Sequence, residues 1–206
     1  MDQALLASGI KTLFPSRQGY LGKMKEKEQE NAVLKAMLLT AQRIKGIGGV
    51  LDLKDLRVKF KKGVRASCDT RPESERAIVT IDPLKYAQSI KTGIHEMTHP
   101  LEHFDPIVND MVTALHSRRL GENVNDVHKY TEKEDIIQDH YADIYSGKLY
   151  AGDYDWTIGR DLAPSEAVTM CLQEILFDED DALELLKKDP VHFAFGYALL
   201  KGYFHA

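Results

Sequence analysis

The chain has 206 residues, 43% hydrophobic and 29% charged, enough apolar material for a core that folds alone as one domain. A net charge of −5 and an isoelectric point near 5.9 argue against a nucleic-acid-binding surface spread over the chain, and no stretch approaches the roughly 18 apolar residues of a membrane span. Two cysteines, Cys68 and Cys171, exclude a disulfide framework and suit a reducing compartment.

Residues 1–25 contain neither the apolar stretch nor the small-residue cleavage site of a signal peptide, so a cytosolic protein, or one made in the cytosol and packaged elsewhere, is expected. Residues 1–21 are weakly helical and broken at Pro15. Residues 22–45 form a charged, helix-favouring run. Ala32, Val33, Leu34, Ala36, Met37, Leu38, Leu39 and Ile44 give it an apolar side, and Gly46, Gly48 and Gly49 stop it. It is expected as a packing helix, so that 1–48 is an N-terminal helical segment and 49–206 the main domain.

Three short strands follow, at Leu56–Phe60, Val64–Cys68 and Ala77–Ile81. The turn signal Lys61-Lys62-Gly63 joins the first two as a hairpin. Asp69–Arg76 is polar, contains Pro72 and reads as a loop. Asp82-Pro83 then signals a helix start, with the Asp as cap and the Pro in first position. Along that helix Ile90, Ile94, Met97 and Leu101 recur at helical spacing and predict a buried stripe.

The same helix carries His95-Glu96-Met97-Thr98-His99, an HExxH motif. Positions i and i+4 lie one above the other on one face, so His95 and His99 aim two imidazoles at one point and can grip a single zinc ion. Glu96 lies beside them as a base for the attacking water, the arrangement of a zinc-dependent hydrolase. Both histidines flank the buried stripe, anchored on one side and open on the other. Pro100 clashes with the carbonyl of residue 96 and predicts a kink or stop near 96–100.

Farther along, residues 106–120 read as a helix with Ile107, Met111, Ala114 and Leu115 inward. Residues 121–163 are polar, tyrosine-rich and broken by glycines, and read as a long irregular segment of the functional kind. Pro164–Phe177 reads as an amphipathic helix, and Asp189-Pro190 opens a last, aromatic-rich helix through about Phe204. No internal repeat or low-complexity tract is present.

A hydrolytic zinc site takes three protein ligands and keeps one position for water. The candidates for the third are Glu102, His103, His116, His128, His140, Asp143 and Glu166. His103 continues the i+4 series, but Pro100 disturbs its geometry, and the spacing misses the glycine turn that brings a third histidine into other HExxH sites. Glu102 sits one turn beyond His99 and can orient it from behind. Glu166 is favoured among them. It stands early in a helix whose Ala167, Val168, Cys171, Leu172, Ile175 and Leu176 pack on the core, where a carboxylate can face the HExxH helix.

Four segments in order carry a resemblance: His99-Pro-Leu-Glu102, Tyr145-Ser-Gly-Lys-Leu-Tyr150, Pro164-Ser-Glu-Ala-Val-Thr-Met170 and Lys188-Asp-Pro-Val-His-Phe193. Together, over roughly residues 75–206, they resemble the C-terminal part of the minor head (head-morphogenesis) proteins of tailed bacteriophages. The resemblance implies a zincin-like, gluzincin-type peptidase domain in which Glu166 is the third zinc ligand. It also implies a phage or prophage source and a place in the host cytoplasm or the virion. The expected partner is a peptide or protein substrate, such as a phage structural protein or a host factor, and charge and hydropathy lead us to expect no nucleic acid and no membrane.

Other residues have structural readings. Cys68 and Cys171 lack a partner histidine motif and read as buried apolar groups. Tyr141, Tyr145, Tyr150 and Tyr154 can supply a hydroxyl to an oxyanion or pack a loop. Arg65, Arg71 and Arg76 can bind a substrate carboxylate or solvate a sheet edge. The acidic run Asp178–Asp181 reads as a solvated turn rather than a calcium loop. The expected protein is thus an α+β, zincin-like metallopeptidase with zinc on His95, His99 and Glu166 and Glu96 as base. The rival reading is a virion or head-assembly interaction module that keeps the fold without turnover.

Overall fold

In the computed structural model the described residues are 26–46, 56–71, 76–82, 86–121, 126–132, 134–137, 140–150 and 166–202; for some of these, Leu101–Phe104 among them, only the backbone is described. The glycine-terminated run forms α1 (Glu26–Gly46). Val33, Ala36, Met37, Thr40 and Ala41 are buried along one face, while Leu38 and Leu39 are exposed. The apolar side is therefore narrower than composition suggested, the width of one helical stripe.

Strands β1 (Leu56–Phe60), β2 (Ser67–Arg71) and β3 (Arg76–Ile81) form a sheet of order β1-β3-β2. The expected β1–β2 hairpin does not form. β1 pairs parallel with β3, Leu56 opposite Ala77 through Phe60 opposite Ile81, and β2 pairs antiparallel with β3, Ser67 opposite Thr80 through Arg71 opposite Arg76. The turn after β1 is tied to the end of β3: Lys61 N–H donates to the Ile81 carbonyl at 3.0 Å and Gly63 N–H to Asp82 at 2.8 Å. That steers the chain past β1, and the polar stretch read as a loop from Asp69 begins as strand. Ala77, Val79 and Ile81 alternate inward, which fixes the register of β3.

Helix α2 (Tyr86–Phe104) contains Pro100 and continues through it rather than stopping. Ile90, Ile94 and Met97 are fully buried; the Leu101 side chain lies outside the described residues, as do 83–85 at the expected helix start. Asp105 caps α3 (Pro106–Leu120). Its inward face is Val108, Val112, Leu115 and His116, whereas Ile107 is exposed and Ala114 faces solvent. The face is rotated from the expected one because His116 is drawn inward by Tyr141, whose hydroxyl lies 2.7 Å from its Nδ1.

The stretch expected to be irregular holds a second sheet, antiparallel β4 (Val127–Thr131), β5 (Glu134–Ile137) and β6 (Lys148–Tyr150), with a 3-10 turn at Ile144–Gly147 before β6. β4 is largely exposed and polar, so it carries no hydrophobic alternation to announce it. The chain ends in α4 (Ala167–Phe177), α5 (Glu179–Lys188) and α6 (Pro190–Leu200). The acidic run is not a solvated turn. Asp178 caps α5, and Asp181, buried, pairs with Lys91 of α2 at 2.6 Å, as acids at a helix N-terminus favour. α6 ends at Leu200, short of Phe204.

The architecture is α+β, with six helices and two small sheets among the described residues. α2 is central: it packs on α1, on α4 and against β2 and β3. One apolar cluster joins α1, the first sheet, α2, α3 and the three C-terminal helices. No described helix is long and apolar enough to cross a membrane.

Candidate metal centre

The site is assembled where α2 passes the start of α4. His95 and Glu96 are buried on α2 and His99 partly so, at the edge of the stripe formed by Ile94 and Met97. Glu166 occupies the N-cap position of α4 but makes no capping bond with its side chain. Its carboxylate, 1% exposed, is turned instead toward α2. Its Oε2 lies 2.9 Å from His95 Nε2 and 3.7 Å from His99 Nε2. The ligand atoms of His95, His99 and Glu166 all fall within 4.8 Å of one another, the one such group of His, Cys, Asp and Glu among the described residues.

These spacings fit a zinc ion. Ligand bonds of about 2.0–2.1 Å in a tetrahedron place ligand atoms about 3.4 Å apart, a value that lies between the observed 2.9 and 3.7 Å. Two imidazole nitrogens and a carboxylate are a donor set zinc accepts.

Glu166 is held from several sides. Thr169 Oγ1 donates to its Oε2 at 2.8 Å, the Tyr150 hydroxyl donates to its Oε1, and its backbone N–H donates to the Lys148 carbonyl at 3.1 Å. His192 Nε2 meets the carbonyl of neighbouring Ala167 at 2.7 Å. Burial alone would push the Glu166 carboxyl up. The hydrogen bond from His95, the charges of His99 and His95 and the Tyr150 bond outweigh it and hold it down at about 2. Glu96 is the opposite case. Burial, with Glu166 adding to it, pushes it up to about 7 against the pull of His95 and Arg65, and its Oε2 is buried without a hydrogen bond. One carboxylate is therefore a permanent anion aimed at both imidazoles, and the other a group near neutrality poised to take up and release a proton.

The site opens on a cavity of about 410 Å³ bordered by Arg65, Ser67, Cys68, Glu134, Tyr145 and Tyr150 as well as the cluster itself. A second, of about 440 Å³, shares Arg65, Ala66, His95, Glu96 and Tyr145 with it and runs on toward Thr92 and Met170. β2, an edge strand, supplies Ser67 and Cys68 to the first wall.

Four of the other third-ligand candidates, all with described side chains, lie apart from this cluster. His116 is buried against Tyr141, His128 is exposed on β4, His140 pairs with Asp126 at 2.7 Å, and Asp143 caps the 3-10 turn. The side chains of Glu102 and His103, and all of Tyr154, lie outside the described residues, as do the side chains of Arg71 and Arg76. Cys68 is half-buried in the cleft wall, its thiol pushed up by burial and by Glu96 and Asp69, which suppresses nucleophilicity; Cys171 is fully buried. Lys148 and Thr169 stand in the segments that carry the resemblance, but the sequence assigned neither a role. Lys148 is buried with its ammonium 2.8 Å from Glu134 and over the rings of Tyr145 and Tyr150 at 4.9 and 4.5 Å.

No protein-family model, no curated protein and no solved structure matches the chain.

Proposed function

We propose that this protein is a zinc-dependent peptidase, a zincin-like domain of the gluzincin type, related to the tailed-phage minor head proteins it resembles. The observation that carries the reading is the convergence of His95, His99 and Glu166 within 4.8 Å beside a buried carboxyl, Glu96, whose affinity for protons is centred near neutrality. His95, His99 and Glu166 would hold the ion. Zinc, when bound, supplies a Lewis acid that polarises a carbonyl and makes water a stronger acid.

The chain's own groups do the rest. Glu96 takes a proton from the attacking water as the C–O bond forms, and delivers it to the amine nitrogen as the C–N bond breaks. Thr169 and Tyr150 fix the Glu166 carboxylate so that it keeps its aim. A peptide substrate suits the cleft wall, because the outer edge of β2 is an edge of its sheet and an extended chain can add to it through main-chain hydrogen bonds. Phage structural proteins and host factors are the substrates the resemblance favours.

The test is zinc content and cleavage of a random-sequence quenched-fluorescent peptide library by wild type and Glu96→Gln. The amide is nearly the size of the carboxyl but accepts no proton at neutral pH, so Glu96→Gln is expected to keep one zinc per chain and lose about 10²-fold or more in rate. Equal turnover by both proteins would remove Glu96 from the reaction; zinc without turnover in wild type would favour the assembly-module reading.

A further inference from the structure

We propose that the Tyr145 hydroxyl is the oxyanion donor of this site, aimed by Arg65 and Lys148; the inference rests on the peptidase reading and names a residue that reading leaves open. Attack by water moves the π pair of the scissile carbonyl onto its oxygen. The negative charge that develops there is worth most to a donor already in place. Three described tyrosines lie near enough in sequence to compete for the role, and their hydroxyls are differently engaged. Tyr141 is turned away, bonded to His116 at 2.7 Å. Tyr150 donates its proton to Glu166 and so acts on the metal ligand. Tyr145 lines both cavities, with its ring 6.4 Å from that of His95.

The oxygen of Tyr145 receives two cationic donors, Arg65 Nη2 at 2.8 Å and Lys148 Nζ at 3.3 Å. A phenol oxygen has two lone pairs and one proton. With both lone pairs engaged by N–H groups, the hydroxyl is left to act as donor, and donation from cations strengthens it in that role. The Tyr150 hydroxyl is within hydrogen-bonding reach, but it is neutral, and a charged oxyanion outcompetes it for the Tyr145 proton.

The mounting is rigid. Asp143 accepts the Tyr145 backbone N–H at 2.8 Å. Gly147 lets the turn lie against β5, since a Cβ there would stand 2.5 Å from the Ile137 carbonyl oxygen. Lys148 is itself pinned by Glu134 at 2.8 Å. Tyr145 is thus the catalytic residue of the group, and Arg65 and Lys148 are positioning residues.

The experiment compares zinc-loaded wild type, Tyr145→Phe, Tyr150→Phe and Arg65→Gln. Three quantities are read: zinc affinity by chelator competition, kcat and KM on the best-cleaved member of a random peptide library, and binding of two probes, an N-phosphoryl dipeptide and a thiol-bearing dipeptide. The first probe carries tetrahedral anionic oxygens and the second none. Tyr145→Phe is expected to keep zinc affinity, KM and thiol binding, and to lose about 10²-fold in kcat and a comparable factor in phosphoryl-dipeptide affinity. Tyr150→Phe is expected to weaken zinc instead, about 10–100-fold. Arg65→Gln, an exposed change that spares the fold, is expected to give a smaller loss of the Tyr145 kind.

Equal loss of both probes in Tyr145→Phe, an unchanged kcat, or a larger kcat loss in Arg65→Gln than in Tyr145→Phe would overturn the assignment while leaving the peptidase reading intact. A wild-type protein that neither binds zinc nor cleaves any peptide overturns both.

Discussion

Glu96 and Glu166 are buried carboxyls that lie 3.8 and 3.7 Å from His99 Nε2 with opposite electrostatics, and the difference is testable without a substrate. The folded Glu96 carboxyl is raised from its ordinary 4.5 to about 7, chiefly by burial. Its charged form is the one penalised, so in metal-free protein stability is lost as pH rises through 7. Removing that charge should remove the loss. Glu96→Gln is expected to melt higher than wild type above pH 7 in the presence of a chelator, by on the order of 2–3 kcal/mol, and to behave like it near pH 4.5. A variant less stable than wild type at pH 8 would contradict the account of Glu96. His95→Ala and His99→Ala should each strip zinc from the chain, because two remaining ligands bind far more weakly. Retention of one zinc per chain in both, read by elemental analysis, would place the metal elsewhere. The HExxH residues were legible because their message is local: i and i+4 on one helix share a face whatever else the chain does. Tyr150 and Thr169 were not legible as partners of Glu166, since their meaning depends on β6 running beside the start of α4.

Elements were legible where hydrophobic period and capping residues agree, and illegible where pairing is nonlocal. Asp189-Pro190 marks a helix start in sequence and in structure. The parallel pairing of β1 with β3 left no local trace, and a hairpin signal at Lys61-Lys62-Gly63 pointed to the wrong neighbour. β4 escaped because an exposed, polar strand lacks alternation, and β5 and β6, though buried at Ile136, Ile137, Lys148 and Leu149, are too short to show one. At Pro100 the helix does not stop: packed on α1, α4 and the first sheet, it tolerates one lost backbone bond. The close packing of α4 on α6 offers a direct test. A Cβ at Gly196 would meet Ile175 Cδ1 at 2.6 Å and Cys171 Sγ at 3.0 Å, so Gly196→Ala should destabilise the protein by about 1–2 kcal/mol despite alanine's better helix propensity. Urea unfolding measures this; a stabilised variant would show that the two helices are not pressed together there.

Across the whole molecule, a buried polar network ties α3, α6, the segment before the 3-10 turn and the start of α4 to one another. Arg119 pairs with Asp189 at 2.6 Å, donates to the His140 carbonyl and covers the Tyr141 ring at 4.0 Å. His116 bonds Tyr141, and His192 bonds Ala167 beside Glu166. Burial first, then neighbouring positive charge, lowers His116 to about 3. Burial lowers His192 to about 4, partly offset by Ala167 and Asp189. Both folded values lie below the ordinary 6.5, so the neutral rings stabilise the fold above pH 6.5, and that contribution is lost as pH falls toward 4 and 3. The loss is on the order of several kcal/mol by pH 4, and His116→Gln should flatten the pH slope of urea unfolding. Stability that stays level from pH 7 to 4.5 in wild type would mean these rings are not held neutral.

We propose that α2 and the start of α4 together make one three-ligand zinc site. Its most direct measurement is chelator competition for zinc by wild type, Glu166→Ala and His103→Ala. Wild type is expected to hold one zinc per chain, Glu166→Ala to bind it clearly more weakly, and His103→Ala to bind it with wild-type affinity. Release of the metal by His103→Ala with retention in Glu166→Ala would contradict it and put a three-histidine site in its place.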